Sequence, residues 1–305
     1  FLSYNWQPVS KLTLEPGIRI GYFTYNENTT VSPRFSFSYH LNEVTAINGS
    51  AGSFHQDLPL VLLTQNPLNK SLKTPVAYHF ILGLSQLLSE NTRLTLEVYD
   101  KEYSDLPLDP KQPTFSIIDQ MVIDGLFHNP NQFVDKGRAY SRGIELMIQK
   151  KLAKYFYGMI SASYFQSKYR DYNGIWRNRS YDNRITCNVE GGYKPNNKWE
   201  FSLRWIYAGG RPYTPFDVRA SLQAFQGVYD HTQTNALRLP DYHSLNVRFD
   251  RRFNFSKSNL VFYVSVWNAY GRKNITSYDW NEFKNEQMEN KQWGLLPIFG
   301  LEFEF

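Results

Sequence analysis

The chain ends in LLPIFGLEFEF, residues Leu295–Phe305, a stretch in which large apolar side chains recur at alternate positions. Side chains of an extended strand point alternately to opposite faces of the sheet. Phe299, Leu301, Phe303 and Phe305 therefore share one face, and the two glutamates between them lie on the other. A soluble domain normally buries such an aromatic face, whereas a membrane barrel presents it to lipid. The stretch thus predicts an all-β protein of one of these two kinds.

Composition is compatible with both kinds of protein. Aromatic residues make up 17% of the 305 residues, which suits membrane–water interfaces. The mean hydropathy is −0.50, and the sequence has no apolar run near the roughly 18 residues that a transmembrane helix needs. A barrel explains both observations, because only alternate residues of its strands meet lipid. A soluble β-sandwich remains open at this point.

Several other functions find no support in the sequence. The net charge is +5, but basic and acidic residues are mixed and no basic run indicates a nucleic-acid partner. The six histidines and Cys187 have no spacing typical of a metal site, so we predict no metal and no cofactor. Phosphate-binding and nucleophile motifs are also missing, and we predict that the protein is not an enzyme. A catalytic site assembled from distant loop residues is not excluded by motifs alone.

Segments with alternating apolar side chains recur along the whole chain. Two of the clearest are Thr92–Tyr103 and Ser141–Leu152. About 12 such segments of roughly ten or more residues follow one another, which is the length expected of tilted membrane strands. The alternation predicts one set of side chains facing lipid and another facing the lumen. The lipid set in these two segments is Leu94, Leu96, Ile144 and Leu146, and the lumen set is Arg93, Glu97, Glu145 and Gln149.

The connections between these segments alternate in length, which favours a barrel over a sandwich. Outer-membrane barrels have short periplasmic turns and long extracellular loops, whereas a sandwich has no reason to sort its loops. This pattern predicts that Phe305 lies at the periplasmic rim and that Phe1–Trp6 descends from the outside as the end of a strand. The short connections lie near Asn42, Glu90, Ala153, Asn196 and Lys257; the long ones are Gln56–Pro75, Ser104–Gly137, Arg170–Ser180, Arg211–Asp241 and Arg272–Gln292, and Asn26–Ser32 is shorter than these.

Six stretches, in this order, resemble the C-terminal barrel portion of TonB-dependent outer-membrane receptors. The resemblance extends from about Ser32 to Phe305, and the order of the stretches makes it more specific than any one of them. The six stretches are SPRFSFSY, AYSRGIELMIQKKL, AGGRPYTPFD, LPDYHSLNVRFDRRF, VWNAYGRKNI and LPIFGLEFEF.

This resemblance implies a transmembrane antiparallel β-barrel in the cell outer membrane that takes up a scarce nutrient. The nutrient would be a siderophore, vitamin, glycan or peptide, and transport would be energised by the TonB complex through an N-terminal region. The family barrel has about 22 strands around a plug, so we expect this chain to supply the last 12 or 13, with plug and first strands upstream. A closed 12-stranded barrel is the alternative, and a passive porin-like or adhesive barrel is the alternative function.

The resemblance also implies partners for the folded protein. The terminal aromatic column is similar to the signal by which the barrel-assembly machinery recognises its clients, which gives a role to Phe299, Leu301, Phe303 and Phe305. Outer-membrane lipid is the second expected partner. A surface lipoprotein is a further partner that the resemblance leaves open.

Two long connections combine arginine with aromatic residues, which suits carboxylate-bearing or ring-bearing ligands. The alternative interpretation is an interfacial aromatic girdle with solvated charge, or simply the end of a strand. The predicted ligand-binding residues are Tyr172, Trp176, Arg177 and Arg179 in YRDYNGIWRNRSY, and Arg211 and Tyr213 in GGRPYTPFD.

Overall fold

The computed structural model of the chain describes residues 1–119 and 128–305, and most of them lie in antiparallel strands. No helix among the described residues is long and apolar enough to cross a membrane. The strands are β1 (Leu2–Ser3), β2 (Trp6–Val9), β3 (Leu12–Phe23), β4 (Asn28–His40), β5 (Thr45–His55), β6 (Val76–Ser89), β7 (Thr92–Leu108), β8 (Val134–Ala153), β9 (Phe156–Arg170), β10 (Trp176–Asn178), β11 (Ile185–Asn196), β12 (Trp199–Ala208), β13 (Pro212–Tyr213), β14 (Leu237–Arg238), β15 (Tyr242–Asn254), β16 (Asn259–Trp267), β17 (Ile275–Asn281), β18 (Glu286–Lys291) and β19 (Leu296–Glu304). The described residues also include the short helices α1 (Leu60–Leu63) and α2 (Val218–Ala224) and 3₁₀ turns at Pro67–Ser71 and His231–Gln233.

One sheet of 15 strands forms the body of the protein. Its long strands follow the chain as an antiparallel meander, in the order β3 to β9, then β11, β12, β15, β16 and β19. The short strands β1 and β2 lie against β3, so Phe1–Trp6 does run antiparallel to the first long strand, as predicted. Within the described residues β1 and β19 are the two ends of the sheet order, which makes the sheet an open segment of a barrel.

The strand register confirms the predicted separation of apolar and polar faces. Leu96 lies opposite Leu146, and the next pair along, Glu97 and Glu145, projects from the other face. The neighbouring pairs continue this pattern, with Leu94 opposite Ile148 on the apolar face. The other sheets among the described residues are the small hairpins β13–β14 and β17–β18, so no second large sheet covers the apolar face. A β-sandwich is therefore not observed, and the apolar face is the lipid-facing side of a transmembrane barrel.

The terminal strand β19 carries its aromatic column on this same outward face. Phe299, Leu301 and Phe303 lie opposite Val264, Phe262 and Leu260 of β16. Phe299 and Leu301 are 67% and 71% exposed, as expected of side chains that meet lipid rather than a protein core. On the inward face, Gly300 lies under the ring of Tyr263, since a Cβ at Gly300 would stand 2.2 Å from the Tyr263 Cζ atom. An aromatic ring thus covers the gap that glycine leaves in the strand.

Short and long connections alternate along the chain as predicted, but some connections begin or end at residues other than the predicted ones. The first connection comprises only residues 24–27, because β4 already begins at Asn28. Strand β7 extends to Leu108 rather than ending near Ser104, since a bulge with Asp105 at φ 56° keeps its end paired with β8. The last long connection contains the hairpin β17–β18, and the connection after β12 contains the helix α2, which the sequence analysis did not predict.

The long connections have a hydrophobic core of their own. Six buried side chains from the β5–β6 and β7–β8 connections pack together, and Phe23 and Tyr25 near the β3–β4 connection contact them. The side chain of Asn69 is also buried there, and its Oδ1 atom accepts a hydrogen bond of 2.9 Å from the Phe133 amide. The six core residues, here called the loop core, are Leu58, Leu62, Leu63, Leu72, Ile117 and Phe133.

Candidate functional site

The β9–β11 connection is closed by a buried ion pair. The Nε atom of Arg177 donates to Oδ2 of Asp171 at 2.7 Å, and the side chains are only 10% and 0% exposed. Oδ1 of Asp171 accepts from the amide of Ile175 at 2.8 Å, so both carboxylate oxygens are satisfied. A buried charge needs such partners, because an unpaired one is very costly. Arg177 also donates from Nη1 to the carbonyl of Thr232, which connects this loop to the β12–β15 connection.

A second ion pair joins the same loop to the β7–β8 connection. Arg179 contacts Asp119, with Nη2 at 2.5 Å and Nε at 3.0 Å from the Oδ1 atom. Burial works to lower the pKa of Arg179, but the hydrogen bond and attraction to Asp119 outweigh it and raise the pKa. The guanidinium therefore stays charged, and its neutralising carboxylate comes from a residue that is distant in sequence.

A third pair connects the β9–β11 and β12–β15 connections. Nη2 of Arg238 lies 2.5 Å from Oδ2 of Asp182, whose side chain is 1% exposed. Oδ1 of Asp182 accepts from the amide of Ser167 at 2.8 Å, and Arg238 also donates to the carbonyl of Gly210 at 2.9 Å. The second and third ion pairs, together with the Arg177–Thr232 hydrogen bond, tie the β7–β8, β9–β11 and β12–β15 connections into one assembly, here called the loop cap.

Arg211 and Tyr213 lie where the loop cap meets the last long connection. Nη2 of Arg211 donates to the carbonyl of Thr276 at 2.6 Å. The rings of Tyr213 and Tyr278 are 5.0 Å apart, and burial raises the pKa of Tyr213, with Tyr278 adding to it. Arg211 and Tyr213, both predicted from the sequence to bind ligand, therefore lie at one junction between two long connections.

Tyr172 and Trp176 lie apart from the buried arginines. Tyr172 is 45% exposed, and its amide donates to the carbonyl of Pro113. Trp176 pairs with Arg170 of β9, which places it on the outward face, and its ring lies 5.1 Å from that of Tyr140. The structure therefore brings Arg177 and Arg179 together inside one loop but directs Trp176 towards the lipid side. A binding role for the six residues stays a prediction.

An aromatic array that the sequence analysis missed lies where the loop cap meets the last long connection. Phe216 stacks on Tyr229 at 4.7 Å and meets the edge of Trp280 at 5.7 Å. His231 continues the array, with its ring 5.1 Å from that of Phe115. Three long connections supply these rings, and Tyr229 is 48% exposed, so the array is a cluster of aromatic side chains that reaches the surface of these connections.

Titratable groups in the described ranges show no arrangement suited to a metal. In residues 1–119 and 128–305, no group of three or more histidine, cysteine, aspartate or glutamate side chains could hold an ion. The buried carboxylates of Asp119, Asp171 and Asp182 instead face arginines.

The comparison with family models matches residues 1–275 to the "TonB dependent receptor-like, beta-barrel" family. Among solved structures, the chain is similar to the ferric-catecholate import receptor Fiu from Escherichia coli K12, with a TM-score of 0.68 and 11% identity over 99% of this chain and 43% of that chain. The siderophore receptor PiuA from Acinetobacter baumannii gives a TM-score of 0.68 and 12% identity, over 99% and 42%. The ferripyoverdine receptor of Pseudomonas aeruginosa gives 0.68 and 14%, over 99% and 37%.

No curated protein sequence matches the chain. The chain spans about two fifths of the length of these solved receptors, since it covers 37% to 43% of them. Because the sequence identity is only 11% to 14%, these similarities show a shared fold.

Proposed function

Because the chain belongs to the TonB-dependent receptor-like β-barrel family, we propose that it forms the C-terminal part of a receptor for active nutrient uptake across the outer membrane. The match of the family model over residues 1–275 is the observation that carries this proposal. Uptake would be energised by TonB through an N-terminal region, and the protein itself would make or break no bond of its ligand.

We further propose that a plug domain and about nine or ten upstream strands complete the barrel, by the count of 22 known for plugged transporters. The open sheet order from β1 to β19 supports this proposal, because unpaired strand edges in hydrocarbon cost several kcal/mol per unsatisfied group. The partial coverage of the solved receptors supports it as well.

For the ligand, we propose a ring-bearing iron chelate of the catecholate kind. Fiu is a ferric-catecholate import receptor and PiuA a siderophore receptor, and flat catechol rings match the aromatic faces of the loop cap. Arg211 and Tyr213 are the sequence-predicted residues that we place in contact with it. The ion-paired Arg177 and Arg179 hold the loops together, and we propose a ligand contact for them only after their carboxylates are displaced.

The uptake proposal can be tested in cells that express the full-length protein with or without functional TonB. We expect saturable, TonB-dependent uptake of a ferric catecholate. A panel of ferric hydroxamates, cobalamin, oligosaccharides and peptides serves to define the ligand class. Flux that is linear in concentration and independent of TonB would contradict active transport and support the porin-like alternative.

Replacing Tyr213 or Tyr278 by alanine should weaken ligand binding. Loss of one stacking contact is expected to lower the affinity by about 3- to 10-fold. Equilibrium binding of the ferric catecholate to the purified full-length protein measures this effect. Tyr155→Ala is the matched control, since Tyr155 is 50% exposed in the short β8–β9 turn at the opposite end of the sheet. An equal effect of the control would refute the proposed contact.

We propose that the long connections face the outside of the cell and the short turns face the periplasm. This orientation predicts which end of the barrel an impermeant thiol reagent reaches. In a Cys187→Ser background, His231→Cys should be labelled on intact cells, because His231 lies in a long connection. Asn197→Cys lies in the short β11–β12 turn and should be labelled only after the outer membrane is permeabilised. The reverse pattern would show that the long connections face the periplasm.

A further inference from the structure

Four basic residues form a patch on the outward face of β8 and β9, near the ends that lead into long connections. Arg138 lies opposite Arg170 across the two strands, and Tyr140 lies opposite Lys168. The fourth, Arg142, follows two residues after Tyr140 on the same face of β8. Two like charges placed directly opposite each other repel, so the Arg138–Arg170 pair is unfavourable unless an anion lies between them. We call these four residues the rim patch.

The rim patch lies immediately beyond the apolar band. Along β8 the outward side chains are Arg142, Ile144, Leu146, Ile148 and Lys150, so a cation bounds the apolar run at each end. The eight residue steps from Arg142 to Lys150 span about 27 Å along a strand. At a tilt of 35–45° this gives about 20 Å of height, close to the apolar band of an outer-membrane barrel. The patch therefore stands at the level of the lipid headgroups.

Of the four basic residues in the rim patch, only Arg142 forms ion pairs with carboxylates of the protein among the described residues. Arg142 contacts Asp100 at 2.9 Å and Glu102 at 2.7 Å, both on β7. Among the described residues, no carboxylate forms an ion pair with Arg138, Lys168 or Arg170. Arg170 donates from Nε to the carbonyl of Gly174 at 3.0 Å, which orients the guanidinium but leaves its charge uncompensated.

Aromatic side chains complete the patch. The guanidinium of Arg142 lies 4.5 Å from the centre of the Tyr140 ring, and the ring of Trp176 lies 5.1 Å from that of Tyr140. Tyrosine and tryptophan favour the membrane–water interface. Cations interleaved with such rings are well placed to meet lipid phosphates directly above the acyl chains.

We propose that the rim patch binds the phosphate groups of an anionic lipid in the leaflet that surrounds the long-loop end of the barrel. Arg138 and Arg170 would hold one phosphate between them, with Lys168 adding a third charge, while Tyr140 and Trp176 contact the lipid at the interface. The inference rests on the proposed orientation, in which this leaflet is the outer one.

The test is lipid binding to the purified full-length protein in detergent, with lipid A as the bisphosphorylated probe and its dephosphorylated form as the comparison. Native mass spectrometry counts the lipid molecules retained at defined molar ratios. We expect the wild type to prefer lipid A. The triple variant Arg138→Gln/Lys168→Gln/Arg170→Gln should bind lipid A at least about 10-fold more weakly. The reason is that each basic residue near an anionic lipid surface contributes to the free energy of binding.

The matched control is Lys150→Gln/Lys151→Gln/Lys154→Gln, which removes the same charge at the other end of β8 and in the β8–β9 turn. It should retain lipid A as the wild type does, and Arg138→Lys/Arg170→Lys should also retain it, because charge is kept. Equal binding of lipid A by the wild type and the triple variant would overturn the proposal, and so would an equal loss in the control. Binding is measured without transport, so failure of uptake and failure of this inference are separate results.

Discussion

Replacing Asp182 with alanine should destabilise the loop cap by about 3 kcal/mol, the cost of removing one partner from a buried ion pair. The side chain of Asp182 is 1% exposed and receives bonds from Arg238 and from the Ser167 amide. Its removal leaves the guanidinium of Arg238, only 24% exposed, without its carboxylate. Because the pair joins two long connections, both should open more often.

Hydrogen exchange of the full-length protein measures this opening. We expect faster exchange of amides in residues 171–184 and 209–241, with the long strands unchanged, since loop regions open locally without global unfolding. In the double variant Asp182→Ala/Arg238→Ala no unpaired charge remains, so part of the protection should return. Unchanged exchange in Asp182→Ala would show that this ion pair does not hold the connections together.

Replacing Leu96 with arginine should lower the stability of the folded barrel by about 2–4 kcal/mol if the residue lies near the bilayer midplane. Leu96 lies within the apolar face, with Leu84 of β6 on one side and Leu146 of β8 on the other. The cost arises because a charged side chain would enter hydrocarbon. Reversible unfolding of the full-length protein from lipid vesicles in denaturant measures it.

Thr95→Arg is the matched control, because Thr95 is the adjacent residue on the polar face, opposite Met147. Arginine there meets the lumen and should cost much less than at position 96. Equal destabilisation at the two positions would contradict the assignment of faces on which the whole barrel rests.

The sequence predicted the sheet well because strand side chains alternate with period two. The alternation at Leu94, Leu96 and Ile144 is local, so it can be recognised without knowing the partner strand. The end of β7 was harder to predict, because its pairing continues past the bulge at Asp105. The helix α2 was missed because its seven residues are too few to establish a helical period, although Asp217 caps it by accepting from the Ala220 amide.

The candidate site was predicted less fully, because its contacts join residues that are distant in the chain. Arg177 and Arg179 were recognised, but not their engagement by carboxylates. Asp171 lies six residues from Arg177 within the same loop, so a local charge pattern could have indicated that pair. Asp119 lies 60 residues from Arg179, and nothing local connects the two. The aromatic array likewise draws Phe216 and Trp280 from different connections.

The shared loop core has a consequence for immunological recognition of the cell surface. Leu62 and Leu63 from the β5–β6 connection are 0% and 1% exposed in the loop core, to which the β7–β8 connection contributes Ile117 and Phe133. A synthetic peptide of residues 56–75 has no such cover, so its leucines would be solvent-exposed and its conformation different. In the proposed orientation, we therefore expect antibodies raised against that peptide to bind intact bacteria poorly. An immunogen that keeps both connections on one scaffold should elicit antibodies that bind them.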